Sequence, residues 1–191
     1  MKKIVCKLFL FFFLIATAQD KVKTKQQNPF YASFASSNVR FEKDIKPTVS
    51  EINTWETTAW KGEKIHTQIL VWTEKDISNL ELSINNLKKD SDNQIANSNA
   101  KIGFVKYVIT DEFAAGCGYR KPEDFKSSLV ADPIEWTSSM IVKKNELQPI
   151  WLSINIPANL ASGQYEGIVT IKADKKQSLK VIINVLDRTL P

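Results

Sequence analysis

The feature that most constrains this chain is alternation with a period of two. Leu80, Leu82 and Ile84 alternate with Glu81 and Ser83. Ile150, Leu152, Ile154 and Ile156 are separated by Trp151, Ser153 and Asn155, and Leu179, Val181, Ile183 and Val185 repeat the pattern. Successive side chains on an extended strand point to opposite faces, so each run places one face in a core. No segment sustains a helical period. Turn residues separate the runs: Lys61-Gly62-Glu63 lies between EINTWETTAW and KIHTQILVWT, and Ser162-Gly163 precedes QYEGIVTIKA. Ala173-Asp174-Lys175-Lys176 then leads into SLKVIINVL, which predicts that the last two runs form an antiparallel hairpin. The expected fold is all-β, a two-layer antiparallel β-sandwich of immunoglobulin-like type with about seven or eight strands.

Two stretches depart from the pattern. KPEDFKSSLV, residues 121–130, is the best candidate for a short helix. Residues 112–149, broken by Pro122, Pro133 and Pro149, read as one long irregular loop. Loops of such length inside a compact domain are usually functional or disordered. Phe113, Tyr119, Phe125, Ile134 and Trp136 predict that this one is pinned against its own sheet or a neighbouring domain.

The first eighteen residues carry an export signal. Lys2, Lys3 and Lys7 precede the apolar run Leu8–Ile15, and Ala16-Thr17-Ala18 supplies a small-residue exit, with cleavage expected between Ala18 and Gln19. The run is shorter than the ~20 apolar residues of a transmembrane helix. Cys6 lies before the run, where a lipid-anchored cysteine would follow it. The product expected is therefore exported without an anchor, and no membrane contact is expected after cleavage. Residues 19–28, QDKVKTKQQN, form a polar lead-in expected to be disordered, and residues 29–191 form the sandwich domain.

Charge and reactive residues exclude several function classes. Removing residues 1–18 takes away three lysines and no acid, so the formal charge of +5 falls to +2. Lysines and acids alternate along the remainder, without the clustered basic face of a nucleic-acid-binding protein. Cys117 is then the sole cysteine, so no internal disulfide forms, and His66 is the sole histidine. One cysteine and one histidine do not make a zinc site of usual composition, and no metal or cofactor is expected. His66 lies within an apolar strand pattern and reads as a packed or half-exposed strand residue rather than a catalytic one.

The adjacent acids Asp111 and Glu112 suggest glycosidase chemistry, but neighbours on a strand point to opposite faces and could not readily assist one another. Three further stretches bear on them: FVKYVITDEFAAGCGYRKPEDFKSSLVADPIE (104–135), QPIWLSINIPANLASGQYEGIVTI (148–171) and VLDRTLP (185–191). In this order they resemble the N-terminal domain of glycoside hydrolase family 123, known for β-N-acetylgalactosaminidases of Gram-negative bacteria. The resemblance implies a β-sandwich whose LDRTLP segment leads into a (β/α)8 catalytic barrel. A barrel takes ~250 residues, so a chain of this length is expected to hold the accessory domain alone. The adjacent Asp-Glu pair implied by the family's substrate-assisted retaining hydrolysis, an exception to the usual two-carboxylate scheme, belongs to the barrel. Asp111 and Glu112 match the accessory domain's own motif, and no catalytic residue is assigned to this chain.

The resemblance thus implies a non-catalytic domain that positions a catalytic barrel, in cis or in trans, in the periplasm of a Gram-negative bacterium or outside the cell. Tyr119, Arg120 and Asp132 are the candidate interface or ligand-facing residues of the loop around Cys117, and Gly116 and Gly118 allow it positive φ values. Arg120 could instead pair with Asp132 or Asp111 to hold the loop. Trp72 and Trp151 lie opposite their strands' apolar neighbours and are the candidates for stacking on a sugar, although packing is the commoner role of tryptophan in a sandwich. A free-standing carbohydrate-binding module and an exported structural or adhesive domain remain the alternatives.

Overall fold

The computed structural model describes residues 30–110 and 128–191. In chain order the strands are β1 (Tyr31–Ala35), β2 (Thr54–Lys61), β3 (Lys64–Trp72), β4 (Ile77–Ile84), β5 (Leu87–Lys88) and β6 (Gln94–Ile95). They continue with β7 (Ala100–Thr110), β8 (Ser128–Glu135), β9 (Ser139–Val142), β10 (Leu147–Asn155), β11 (Gly163–Lys172) and β12 (Lys176–Thr189). One sheet has five strands in the order β1-β3-β10-β7-β8; the other has seven, with the path β2-β12-β11-β4-β9 and the short pair β5 and β6 beside β11.

The all-β sandwich expected from alternation is what forms. Ile69 and Val71 of β3, Ile150, Leu152 and Ile154 of β10 and Phe104 of β7 face Leu80 of β4, Tyr165, Val169 and Ile171 of β11, and Leu179, Val181 and Ile183 of β12. Burying each such side chain contributes roughly 1.5–3 kcal/mol, which is how a chain without a disulfide among its described residues holds two sheets together. The β11–β12 hairpin expected around Asp174 is present, in register from Gly163↔Val185 to Lys172↔Lys176.

Three expectations need correction. The described residues hold twelve strands rather than seven or eight, because β5, β6 and β9 are only two to four residues long and too short to show alternation, and β8 lies in the stretch expected to be a loop. The sandwich is not wholly antiparallel, since β2 pairs with β12 in parallel, from Thr54↔Lys180 to Ala59↔Val185. This follows from the turn at Gly62 (φ 82°), where the chain leaves one layer and enters the other: β2 belongs to the seven-stranded sheet and β3 to the five-stranded one. The corner is tied by Gly62 N–H to the Ile156 carbonyl (3.0 Å), Ile156 N–H to the Glu63 carbonyl (2.8 Å) and Leu190 N–H to the Lys61 carbonyl (2.9 Å).

The third correction concerns the expected loop at 112–149. Residues 111–127 lie outside the described residues, but 128–135, 139–142 and 147–155 are strands, and the proposed helix ends in residues that belong to β8. Both prolines are accommodated by local devices. Between Val105↔Ile134 and Tyr107↔Ala131 the register shifts, so Asp132 and Pro133 together oppose Lys106 in a bulge, where a missing N–H is tolerated. Pro149 pairs with Leu70 on one side, and the ladder to β7 begins only at Ile150↔Phe104. The Gln148 side chain donates to the Val105 carbonyl (2.9 Å) where a main-chain N–H would otherwise serve. Tyr107 donates its hydroxyl to the Leu147 carbonyl, tying the diverging end of β7 to β10. Burial pushes that phenol well above its usual range, with Glu146 and Asp44 adding to the effect.

Candidate functional site

The outward face of the five-stranded sheet divides into a covered and an open half. On β3 the outward residues are Lys64, His66, Gln68, Leu70 and Trp72; on β10, in register with them, they are Asn155, Ser153, Trp151, Pro149 and Leu147. Residues 36–53, between β1 and β2, fold over one end. Phe41 packs there with Tyr31 and Ala35 against a small second core of Leu70, Trp72 and Leu147. Lys43 N–H binds the Leu129 carbonyl (3.0 Å), Ala131 N–H the Phe41 carbonyl (3.3 Å) and Leu147 N–H the Lys43 carbonyl (2.8 Å). The Gln68 amide donates to the Val39 carbonyl (2.7 Å) and to that of Ser36. Lys43 also pairs with Glu146 at 2.9 Å.

Beyond Gln68 the face is open, and aromatic rings gather there. His66, exposed on β3, stacks on half-buried Trp151, with ring centroids 4.8 Å apart and planes 19° apart. Trp151 lies directly across from Gly103 of β7. A Cβ at Gly103 would sit 2.5 Å from Ile134 Cγ2 and 2.8 Å from Trp136 Cε3, so Ile134 and the Trp136 ring together occupy the space of the missing side chain. Trp136 is nevertheless 56% exposed. His66, Trp151 and Trp136 therefore form a row across β3, β10 and β7. Lys64, Lys101 and Asn155, all exposed, lie beside it on the same face.

The sequence-derived candidates are dispersed by comparison. Trp72 is only 7% exposed, beneath residues 36–53, so it offers no ring face to a sugar. Its indole Nε1 is buried without a partner. Trp151 retains partial exposure and belongs to the row. Asp132 sits in the β8 bulge rather than at the end of a loop, and its carboxylate pairs with Arg40 Nη2 at 3.1 Å, both groups about half exposed. Tyr119 and Arg120 lie outside the described residues, as do Asp111, Glu112 and Cys117. Sequence alone gives His66 as a strand residue and Trp136 as one of the side chains pinning the long stretch; what brings them together is the pairing of β3, β10 and β7, which alternation within single strands does not supply.

Ionisable groups cluster weakly. Among the described residues no three or more His, Cys, Asp or Glu side chains gather as a metal site would require. Among the described residues four carboxylates titrate below their usual range, at exposed surface contacts. The Lys61 side chain holds Asp187 down, the Lys144 N–H and the Lys143 charge act on Asp76, Lys172 and Asn79 on Glu81, and Asn93 on Asp90. These contacts join neighbouring strands and turns, and none faces the aromatic row.

The fold has known relatives. Over 85% of this chain, and 28% of the other, it superposes on a family 123 glycoside hydrolase from Clostridium perfringens with a TM-score of 0.74 at 24% identity, a likeness of fold. The chain thus spans little more than a quarter of that enzyme's length. The N-terminal domain of PorA matches with a TM-score of 0.37 at 8% identity over 82% of this chain and 98% of that one. A type I cohesin from Pseudobacteroides cellulosolvens matches with a TM-score of 0.28 at 15% identity over 70% of this chain and 89% of its own. Both of these likenesses are too slight to equate folds. No curated protein matches the sequence. The family model of the glycoside hydrolase 123 N-terminal domain matches residues 34–173, which run from β1 to the β11–β12 turn, and the chain belongs to that family.

Proposed function

We propose that this chain is the non-catalytic accessory domain of an exported glycoside hydrolase acting on N-acetylgalactosamine-type glycans, and that it packs against and positions a catalytic barrel. Family membership supports the association with a catalytic domain. The observation that carries the packing is at the far end of the β7–β8 hairpin. Ile109 and Leu129 are cross-strand partners there and are 75% and 38% exposed. Aliphatic side chains paired across two strands and left in water mark a surface that gains by being covered. The hairpin also leads directly into residues 111–127, which carry the motif shared with the family.

The test is to mix the purified chain with a separately produced family 123 barrel domain. The expected result is a complex whose melting temperature rises with concentration of the chain, as mass action requires. Ile109→Asp with Leu129→Asp should abolish that rise. No association at tens of micromolar, or association indifferent to the double variant, would overturn the packing. The chain alone should release nothing from a chromogenic N-acetylgalactosaminide, and the exported form should begin at Gln19 on N-terminal sequencing.

A further inference from the structure

We infer that the open half of the five-stranded sheet binds the pyranose ring of a glycan, with Trp136 as the stacking surface and Trp151 and His66 as its supporting wall. Trp136 is held from beneath: with Ile134 it fills the space left by the missing Cβ of Gly103, while more than half of it stays in water. Trp151 is oriented by its stack on His66, so the wall is set before any ligand arrives. The row crosses two inter-strand spacings, about 10 Å in all, the width of a disaccharide.

The surroundings select a sugar over a protein. Lys64, Lys101 and Asn155 bring ammonium and amide donors to the edge of the rings, matching the hydroxyl rim of a sugar whose C–H face lies on an indole. The centre of a protein interface is instead depleted in lysine and needs roughly 800 Å² per partner. The row also lies at the opposite end of β8 from the proposed barrel-docking pair, although both are on the outward side of this sheet. Trp136 follows the last residue of β8 and Ile109–Leu129 lies near its first, about 20 Å away along the strand. Sugar binding here does not depend on that docking, and each can fail alone.

The experiment is a two-dimensional NMR titration of the full chain with N-acetylgalactosamine, galactose and glucose in turn, reading the indole N–H signals. Signals of Trp136 and Trp151 are expected to move with a dissociation constant on the order of 1 mM, as suits a small contact. Trp136→Leu keeps an apolar side chain over Gly103 but removes the ring face, and should weaken the response at least about tenfold. Trp60→Leu, at an exposed tryptophan of the other sheet, should leave it unchanged. Should Trp136→Leu fail to fold, His66→Ala at an exposed position tests the same wall and should also weaken binding. The inference is overturned if no sugar moves either indole, if the response survives Trp136→Leu, or if it follows Trp60. A preference for the galactose-configured sugars would tie the site to the enzyme's proposed substrates; equal binding of glucose would make it a general glycan contact and still support the site.

Discussion

Tyr165 shows how single residues hold this sandwich. Its side chain is wholly buried at the start of β11, yet its hydroxyl reaches back to donate to the Ala161 carbonyl at 2.7 Å. Tyr165→Phe keeps the ring and leaves that carbonyl without its donor, so the expected loss is about 1 kcal/mol. It should be read as a lower urea midpoint at unchanged slope. Single residues also show where sequence reading ends. Alternation places Trp72 and Trp151 on the same outward face, and the structure agrees, since their strands pair in register. What separates their fates is residues 36–53, which cover Trp72 and stop at Gln68. Strand parity tells which way a side chain points, and a chain segment tens of residues away decides whether water reaches it. His66 was legible as a strand residue for the same reason, and its stack with Trp151 was not.

Among the elements, β11 and β12 are plain in the sequence because each buries a strict alternate set on one face, and the later part of β10 because Ile150, Leu152 and Ile154 alternate toward the core. β8 and the start of β10 are hidden by Pro133 and Pro149, which local rules assign to loops. Pro133 occupies a bulge and Pro149 lies just outside the β7 ladder, so neither leaves a ladder position empty. The substitute at Pro149 is the amide of Gln148, a residue only 7% exposed, which also lies 2.7 Å from the Pro149 carbonyl. Gln148→Ala should strand the Val105 carbonyl and cost about 1–3 kcal/mol. Amide exchange should then quicken along β7 beyond Phe104 and remain slow in β11 and β12. Uniform acceleration across both sheets would show that Gln148 supports the whole core rather than this junction.

At the scale of the whole molecule, acid should weaken the fold through the contacts at its corners. Lys61 Nζ lies 2.6 Å from Asp187, and Asp76 accepts the Lys144 N–H at 2.8 Å beside Lys143. Both carboxylates have folded pKa values below their unfolded values, so their contribution is present above an unfolded pKa of about 3.9 and is lost as pH falls through the lower folded values. Asp76→Asn with Asp187→Asn should therefore flatten the decline of the urea midpoint below about pH 4; an unchanged decline would assign acid sensitivity elsewhere. The two-layer plan was legible at this scale, but the change of layer at Gly62 was not, because a three-residue turn looks the same whether it folds a strand back or sends it across. That crossing has a mechanical consequence. Its result is that β12 is gripped along both flanks, by β2 running with it and β11 against it. Tension applied along β12 from Pro191 loads those cross-ties in shear, all together rather than one after another. A body pulled by that end would transmit the load through the sandwich as through a rivet, not peel it open like a zipper.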